Sequence, residues 1–447
     1  MSQVTNTKNK DLTAAFVDNF EAYIDSQGEN TFNPSELRKE AIEHFAKVGL
    51  PSNKHEDYKY TPITRLLSKA FSEADTLPKD INISSETKRF IQQQLLTTDA
   101  HHLVFVNGVF LDSLSNIDTL SDNLYVAPLS NVDQEYARLV HEHLAKEAKI
   151  GSDPFVTLNT AYAQDGCFVH VPKGRVVEKP IICYYFSDTS INNTIAHTRN
   201  LFVIEENAQV KTAEIFYSLG DSHSLSNSVT EVYVAKHANV HYYKFQNEGS
   251  QASHTGTTHV KQADDSHFHA VTVSLKGAIV RNNMNAMLDA KHCESHLYGL
   301  YMLDGNTHVD NHSIVDHQQP DSFSNELYKG IIDDKASGVF NGRIYVRPLA
   351  QKTNAFQSNA NVLLSNNASI DTKPQLEIWA DDVKCSHGAT TGQLDKEQMF
   401  YLQTRGLSKT QARAVLLKAF AGDVVQHIEI TPLKEMIEAE ISKRLQS

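Results

Sequence analysis

ENAQV at 206–210, KHANV at 236–240, DDSHF at 264–268 and KHCES at 291–295 share one layout. A polar corner ends in a small residue, and a β-type segment follows. The small residues are Ala208, Ala238, Ser266 and Cys293, spaced 30, 28 and 27 positions apart. DKASGV (334–339) and NNASID (366–371) repeat the layout at Ala336 and Ala368, after a longer insertion. A recurring unit of short strand and small corner predicts a β-solenoid, in which each coil stacks on the previous one and the inner faces form one core. A β-sandwich would require antiparallel hairpins and stronger two-residue turn signals. The solenoid is the reading adopted.

Working outward, the strand texture runs from about Phe155 to Thr391, with no convincing helix inside it. In RIYVR, Ile344 and Val346 face one way while Arg343, Tyr345 and Arg347 face the other; Leu376 and Ile378 flank Glu377 likewise. Such period-two patterning marks strands. The flanks read as helical. Leu12, Phe16 and Phe20 recur every four residues. Asn33, Pro34 and Glu36 form a capping-box start, Leu37, Ala41, Ile42 and Phe45 an apolar stripe, and Gly49 a stop. LVFVNGVFL predicts a strand pair turning at Asn107-Gly108, and a helix is expected from about Gln134 to Lys149. After the solenoid, Asp395 with Gln398 and Ser408 with Gln411 give capping-box patterns. Ala412, Val415, Leu416, Ala419 and Phe420 then form an amphipathic stripe, and Thr431-Pro432 opens a last helix carrying Leu433, Met436, Ile437 and Ile441 on one face. The fold expected is mainly β: a parallel β-helix over 151–393, between an N-terminal helical region with a short strand pair (1–150) and a C-terminal helical region (394–447).

With 54 Asp+Glu against 41 Lys+Arg and a formal charge of −13, the chain has no basic run that would make nucleic acid a main partner. MSQVTNTKNKDLTAAF has no apolar core of leader length, and no window reaches the roughly 18 apolar residues needed to span a bilayer. A cytosolic protein is expected, with no membrane partner. Cys167, Cys183, Cys293 and Cys385 are sparse and widely separated, which suits reduced thiols better than a disulfide framework.

The chemistry-bearing stretch is LEIWADDVKCSHGATTGQLDKEQMFYLQTRG (376–406). It sets Cys385 and His387 two residues apart, on one face of a strand. A thiolate and a neutral imidazole suit iron, zinc and iron–sulfur clusters, but two ligands do not close a site. The rest would come from elsewhere in the fold or from another subunit. The plainer reading is a buried cysteine and a hydrogen-bonded histidine near the solenoid's end. The 22 histidines include His254, His259, His267 and His269, then His292 and His296, then His308, His312 and His317. Only His267 and His269 fit a one-face spacing; the others read as stacked or solvated groups, with His317 the one to watch. There is no GxxxxGK[ST] loop, GxGxxG, HExxH, GxSxG or CxxC, so neither ATP hydrolysis nor another familiar catalysis is expected. Asp381 and Asp382 are adjacent and so point to opposite faces, which argues against an acid–base pair. A β-helix enzyme acting on polysaccharide remains an alternative, although no carboxylate cluster is evident.

Long motifs resemble the SufB/SufD family of the SUF iron–sulfur cluster assembly system, in its SufD branch: VDH, ELYKGII, GVFNGRIYV, TKPQLEIWADDVKCSHGATTG, FYLQTRG and AFAGDVV between 310 and 425, and LNTAYAQDGCFVHVPKG (158–174) with EKPI. GLPSNKHEDYKYT is similar to a family segment that usually carries Trp where Tyr58 stands. The resemblance implies a right-handed β-helix acting as a non-ATPase scaffold. It implies a heterodimer with the paralogue SufB through the β-helix ends, a homodimer in isolation, and docking of the ATPase SufC on the C-terminal helices, around Arg405, Gly406, Ala412, Val415, Leu416 and Phe420. It further implies that His387 and Cys385 lie at the interface between paralogues, where iron or a nascent cluster is held transiently. A reduced flavin is possible on the assembled complex; this chain has no flavin motif. A structural partner with no metal role is the alternative within that family.

Overall fold

A computed structural model describes residues 12–27, 32–71, 83–117 and 124–446. Residues 1–11, part of the N-terminal stretch read for a leader, lie outside these. The chain opens with helices α1 (Leu12–Gln27), α2 (Ser35–Val48), α3 (Ile63–Ala70) and α4 (Ser85–Gln94). Strands β1 (His101–Val106) and β2 (Val109–Phe110) form an antiparallel hairpin whose turn residues, Asn107 and Gly108, both have positive φ. Strand β3 (Tyr125–Pro128) and helices α5 (Gln134–His143) and α6 (Pro154–Tyr162) complete the N-terminal part.

The solenoid follows: β4 (Cys167–Val171), β5 (Ile181–Asp188), β6 (Thr194–Ile204), β7 (Gln209–Leu219), β8 (Ser224–Val234) and β9 (Asn239–Asn247). Next come β10 (Ala252–Gln262), β11 (His267–Lys276), β12 (Ile279–Leu288), β13 (Glu294–Leu303) and β14 (His308–His317). The last coils are β15 (Phe323–Ile332), β16 (Ser337–Val346), β17 (Asn354–Leu363), β18 (Ser369–Ile378) and β19 (Lys384–Gly392). Odd-numbered strands build one sheet and even-numbered strands the other, except that β2 ends the odd sheet and β3 the even one. Each strand from β5 to β17 pairs in parallel with the strand two later, giving a parallel β-solenoid of about eight turns. Its lumen is packed with inward residues such as Val171, Val210, Val240, Phe268, Leu297, Val309 and Ile344. Helices α7 (Lys396–Thr404), α8 (Lys409–Val425) and α9 (Thr431–Gln446) end the chain.

Helices close both outer faces. On the even sheet, Phe16, Phe20, Phe45 and Leu67 pack with Tyr162, Ile195, Leu225 and Ile279. On the odd sheet, Leu417, Val424, Leu433 and Ile437 pack on Tyr217, Phe245, Val273 and Leu300. Tyr58 is a wedge between the N-terminal part and the solenoid: its hydroxyl donates to Asp153 at 2.6 Å, and the Arg281 guanidinium stacks 4.2 Å from its ring centroid. Arg281 also pairs with buried Asp310 at 2.6 Å. Although burial opposes ionisation, that guanidinium holds the Asp310 carboxyl well below its ordinary range.

Several sequence expectations need correction. The repeat merged two corner series, because a two-sheet coil turns twice. Ala208, Ala238, Ser266 and Cys293 precede strands of the odd sheet, and that series continues through Ser322 and Thr353. Ala336 and Ala368 precede strands of the even sheet, so no insertion separates them from the series. Helix α6 interrupts the supposed all-strand region: eight of its nine residues are buried, so it carries no polar stripe to betray it. Helix α5 stops at His143 rather than Lys149, because the buried Glu231 carboxylate takes the N–H groups of Ala145, Glu147 and Ala148. Asn33 does not cap α2; its amide donates to the Thr160 carbonyl, and Pro34 holds the cap position. Along α8 the buried side is Ala412, Leu417, Ala421, Val424 and Val425, whereas Val415 and Ala419 are exposed.

Candidate metal centre

Period-two geometry decides which β19 side chains look inward. Cys385 pairs with Ala355 of β17, a core residue, and packs against the lumen cluster. His387, two residues on, pairs with the inward, buried Gln357. Cys385 and His387 therefore occupy one face, as the spacing predicts. Strands β18 and β19 are the last members of their sheets. Their inward residues consequently lie at an end left uncapped by the described residues: His387 is exposed and Cys385 half-buried. Beside them a Cβ added at Gly388 would meet nothing within 4 Å. Burial pushes the Cys385 thiol up, against a hydrogen bond with the Ala355 backbone. It stays protonated until a cation makes the thiolate favourable.

Among the described residues, no group of three or more His, Cys, Asp or Glu side chains is placed to hold a metal ion. The other histidines singled out from the sequence are engaged elsewhere. His254 contacts Glu248 at 2.8 Å, His296 contacts Glu294 at 2.6 Å, and His312 contacts Asp310 at 3.0 Å. His259 contacts Asn285, His308 contacts Ser337, and His267 and His292 face Glu294 and Asp265. His269 sits in a cluster of tilted rings, 5.0 Å from His241, 6.2 Å from His296 and 5.8 Å from His427 by centroids; burial first, then these neighbours, lower its basicity to about 3. His317 is wholly buried in the lumen, with Nε2 2.9 Å from Ser324 Oγ, and burial brings it down to about 4. It lies on β14, two strands before β18 in its sheet, and its imidazole is taken up inside the lumen rather than presented at the open end. Cys167, Cys183 and Cys293 are free and buried.

The lumen behind His387 holds two polar residues that the sequence did not single out. Glu326 on β15 is fully buried, and Gln357 on β17 donates to its carboxylate. Burial pushes Glu326 up to about 7. The one signal was parity: in ELYKGII, Glu326 shares the inward face of Tyr328.

A second surface lies on α7 and α8. Phe400, Tyr401 and Val415 are exposed by 68%, 57% and 46%. A shallow groove of about 390 Å³ is lined by Tyr401, Leu402, Val415 and Leu416. Arg405 lies 5.2 Å from the Tyr401 ring, and Gly406 ends the turn at φ +93°. Ala412 faces the helix packing, and Phe420 is partly buried with the Lys329 ammonium 4.2 Å from its ring.

Two family models cover nearly the whole chain: the SUF system FeS cluster assembly SufBD core domain over residues 186–420, and the SufBD protein N-terminal region over 6–183. An iron–sulfur cluster assembly SufBD family protein of Synechocystis is 30% identical over 91% of this chain and 90% of its own length. The iron–sulfur cluster assembly protein SufD of Escherichia coli is 30% identical over 90% of this chain and 91% of its own. A chloroplastic protein of Arabidopsis thaliana is 28% identical over 87% and 82%. With the parallel solenoid, its helical flanks and matches of this extent, the chain belongs to the SufB/SufD family of iron–sulfur cluster assembly proteins.

Proposed function

We propose that this chain is a SufD-type scaffold subunit: it pairs with a SufB-type paralogue through the last solenoid coils, binds the ATPase SufC through α7 and α8, and helps load iron or a nascent cluster. The observation that carries the reading is the uncapped inward face of β19, which presents Cys385 and His387 together. The cluster is cargo, held transiently, and the partner contributes the remaining ligands. His387 offers a nitrogen lone pair. Cys385 offers a sulfur once its proton is displaced. No residue of this chain acts as a catalyst or binds nucleotide; a reduced flavin would belong to the assembled complex. The free edges of β18 and β19 suit a partner strand from SufB or, in isolation, from a second copy. The exposed aromatic and aliphatic residues of α7 and α8 suit a protein partner. Arg405, Gly406, Val415 and Leu416 form that surface, with Ala412 and Phe420 supporting it. Such a complex would work in the cytosol; among the described residues no helix is long and apolar enough to cross a membrane.

ATP binding would draw two ATPase subunits together, and the pull would pass through α8 into the solenoid. An Arg413–Asp333 pair at 2.6 Å ties α8 to the solenoid, and a Lys329–Asp423 pair adds a second tie. The ATPase must bind one conformation better than the other for this to occur. The test is His387→Ala in the anaerobically purified complex. The fold and subunit composition should persist while iron and acid-labile sulfide fall. Native loading in that variant would end the ligand assignment.

A further inference from the structure

We infer that Gln357 is the positioning residue that orients His387, with Glu326 behind it as its anchor. This rests on the reading of His387 as a ligand.

Glu326, Gln357 and His387 occupy the same register position on β15, β17 and β19. All three have inward parity, so they form one column that runs up the lumen to the open end. The column is directional. Gln357 Nε2 donates to Glu326 Oε2, which fixes the amide. Its other atom, Oε1, is buried and has no hydrogen-bond partner among the described residues. An unpaired buried acceptor is costly, on the order of 1–3 kcal/mol. An apolar residue of similar length would fill the space without that cost. The neighbouring strand, about 4.8 Å away, carries His387.

The opposite sheet also accommodates Gln357. A Cβ at Gly342 would sit 2.3 Å from Gln357 Nε2 and 2.7 Å from its Cδ. Glycine there leaves the amide its room. Neutral imidazole has one N–H and one lone pair. When His387 donates its N–H to Gln357 Oε1, the remaining nitrogen is directed to a metal with its tautomer fixed. Partners of this kind typically change metal affinity by about 10- to 100-fold.

The test is anaerobic Fe(II) titration of the purified complex, with thermal melting as a separate readout. Gln357→Met keeps the volume and removes the acceptor. It should weaken Fe(II) binding about tenfold or more, with the complex intact. The double exchange Glu326→Gln with Gln357→Glu reverses the anchor bond but retains an acceptor at position 357; it should restore binding. Native affinity in Gln357→Met, with affinity lost in His387→Ala, would overturn this inference and leave the ligand reading standing. Unchanged affinity in His387→Ala would overturn both. If Gln357→Met fails to fold, the exchange variant decides: a folded exchange variant that binds weakly sinks the proposal, and native affinity in it supports the column.

Discussion

Replacing Glu326 by Gln should flatten the pH dependence of stability above pH 5. Glu326 is fully buried, and burial raises its carboxyl from 4.5 to about 7. The folded chain thus prefers the neutral acid, whereas the unfolded chain ionises near 4.5. Below that value both states hold the proton and the group has no effect on the balance. As pH rises from 4.5 to about 7, the unfolded state alone releases it and stability falls. Above about 7 both states are ionised and the loss is complete. Each pH unit between the two values corresponds to ~1.4 kcal/mol, so the loss approaches about 3 kcal/mol by pH 8. The amide of the Glu326→Gln variant cannot ionise, so that protein should escape this loss whatever fixed offset the substitution brings. Calorimetric melting of the metal-free chain at fixed concentration, at pH 5, 6, 7 and 8, reads the effect. The native midpoint should drop relative to the variant by several degrees, taking roughly 2 °C per kcal/mol for a large domain. Parallel curves for the two proteins would refute the reasoning.

Glu231→Gln leaves the Arg199 guanidinium, 2.7 Å away and buried with it, without its counter-charge. It should cost roughly 3–5 kcal/mol, read as a lower urea midpoint, with the 145–148 segment gaining hydrogen exchange. Val415→Asp with Leu416→Asp places charge in the α7–α8 groove. The far-ultraviolet spectrum should stay native while ATPase co-purification is lost; retained binding would remove these residues from the docking surface.

The solenoid was legible because small corner residues recur, and RIYVR displays its two faces openly. What blurred the repeat was physical. Both corners of each coil demand a compact residue after a tight bend, so Ala336 and Cys293 look equivalent while leading into different sheets. Helix α6 escaped because burial on all sides erases amphipathic contrast. Helix α8 is apolar on two flanks, and only the fold reveals that Leu417 and Val424 are taken while Val415 is left out. At the candidate site, the shared face of Cys385 and His387 follows from spacing alone. Their place near the solenoid's end was legible too, because the strand texture stops there; that nothing among the described residues stacks above β19 was not. The Glu326–Gln357–His387 column was hidden for a related reason: which residue sits over which depends on coil lengths that the sequence does not mark.

The bare rims of β18 and β19 also bear on how the protein must be made. A parallel sheet that stops without a cap is a growth template, and two such ends on separate molecules can seed a fibre. On the pairing proposed above, chains synthesised ahead of their counterpart would be at risk in proportion to the excess. That pairing would ask the cell for matched production of the two subunits and prompt removal of orphans.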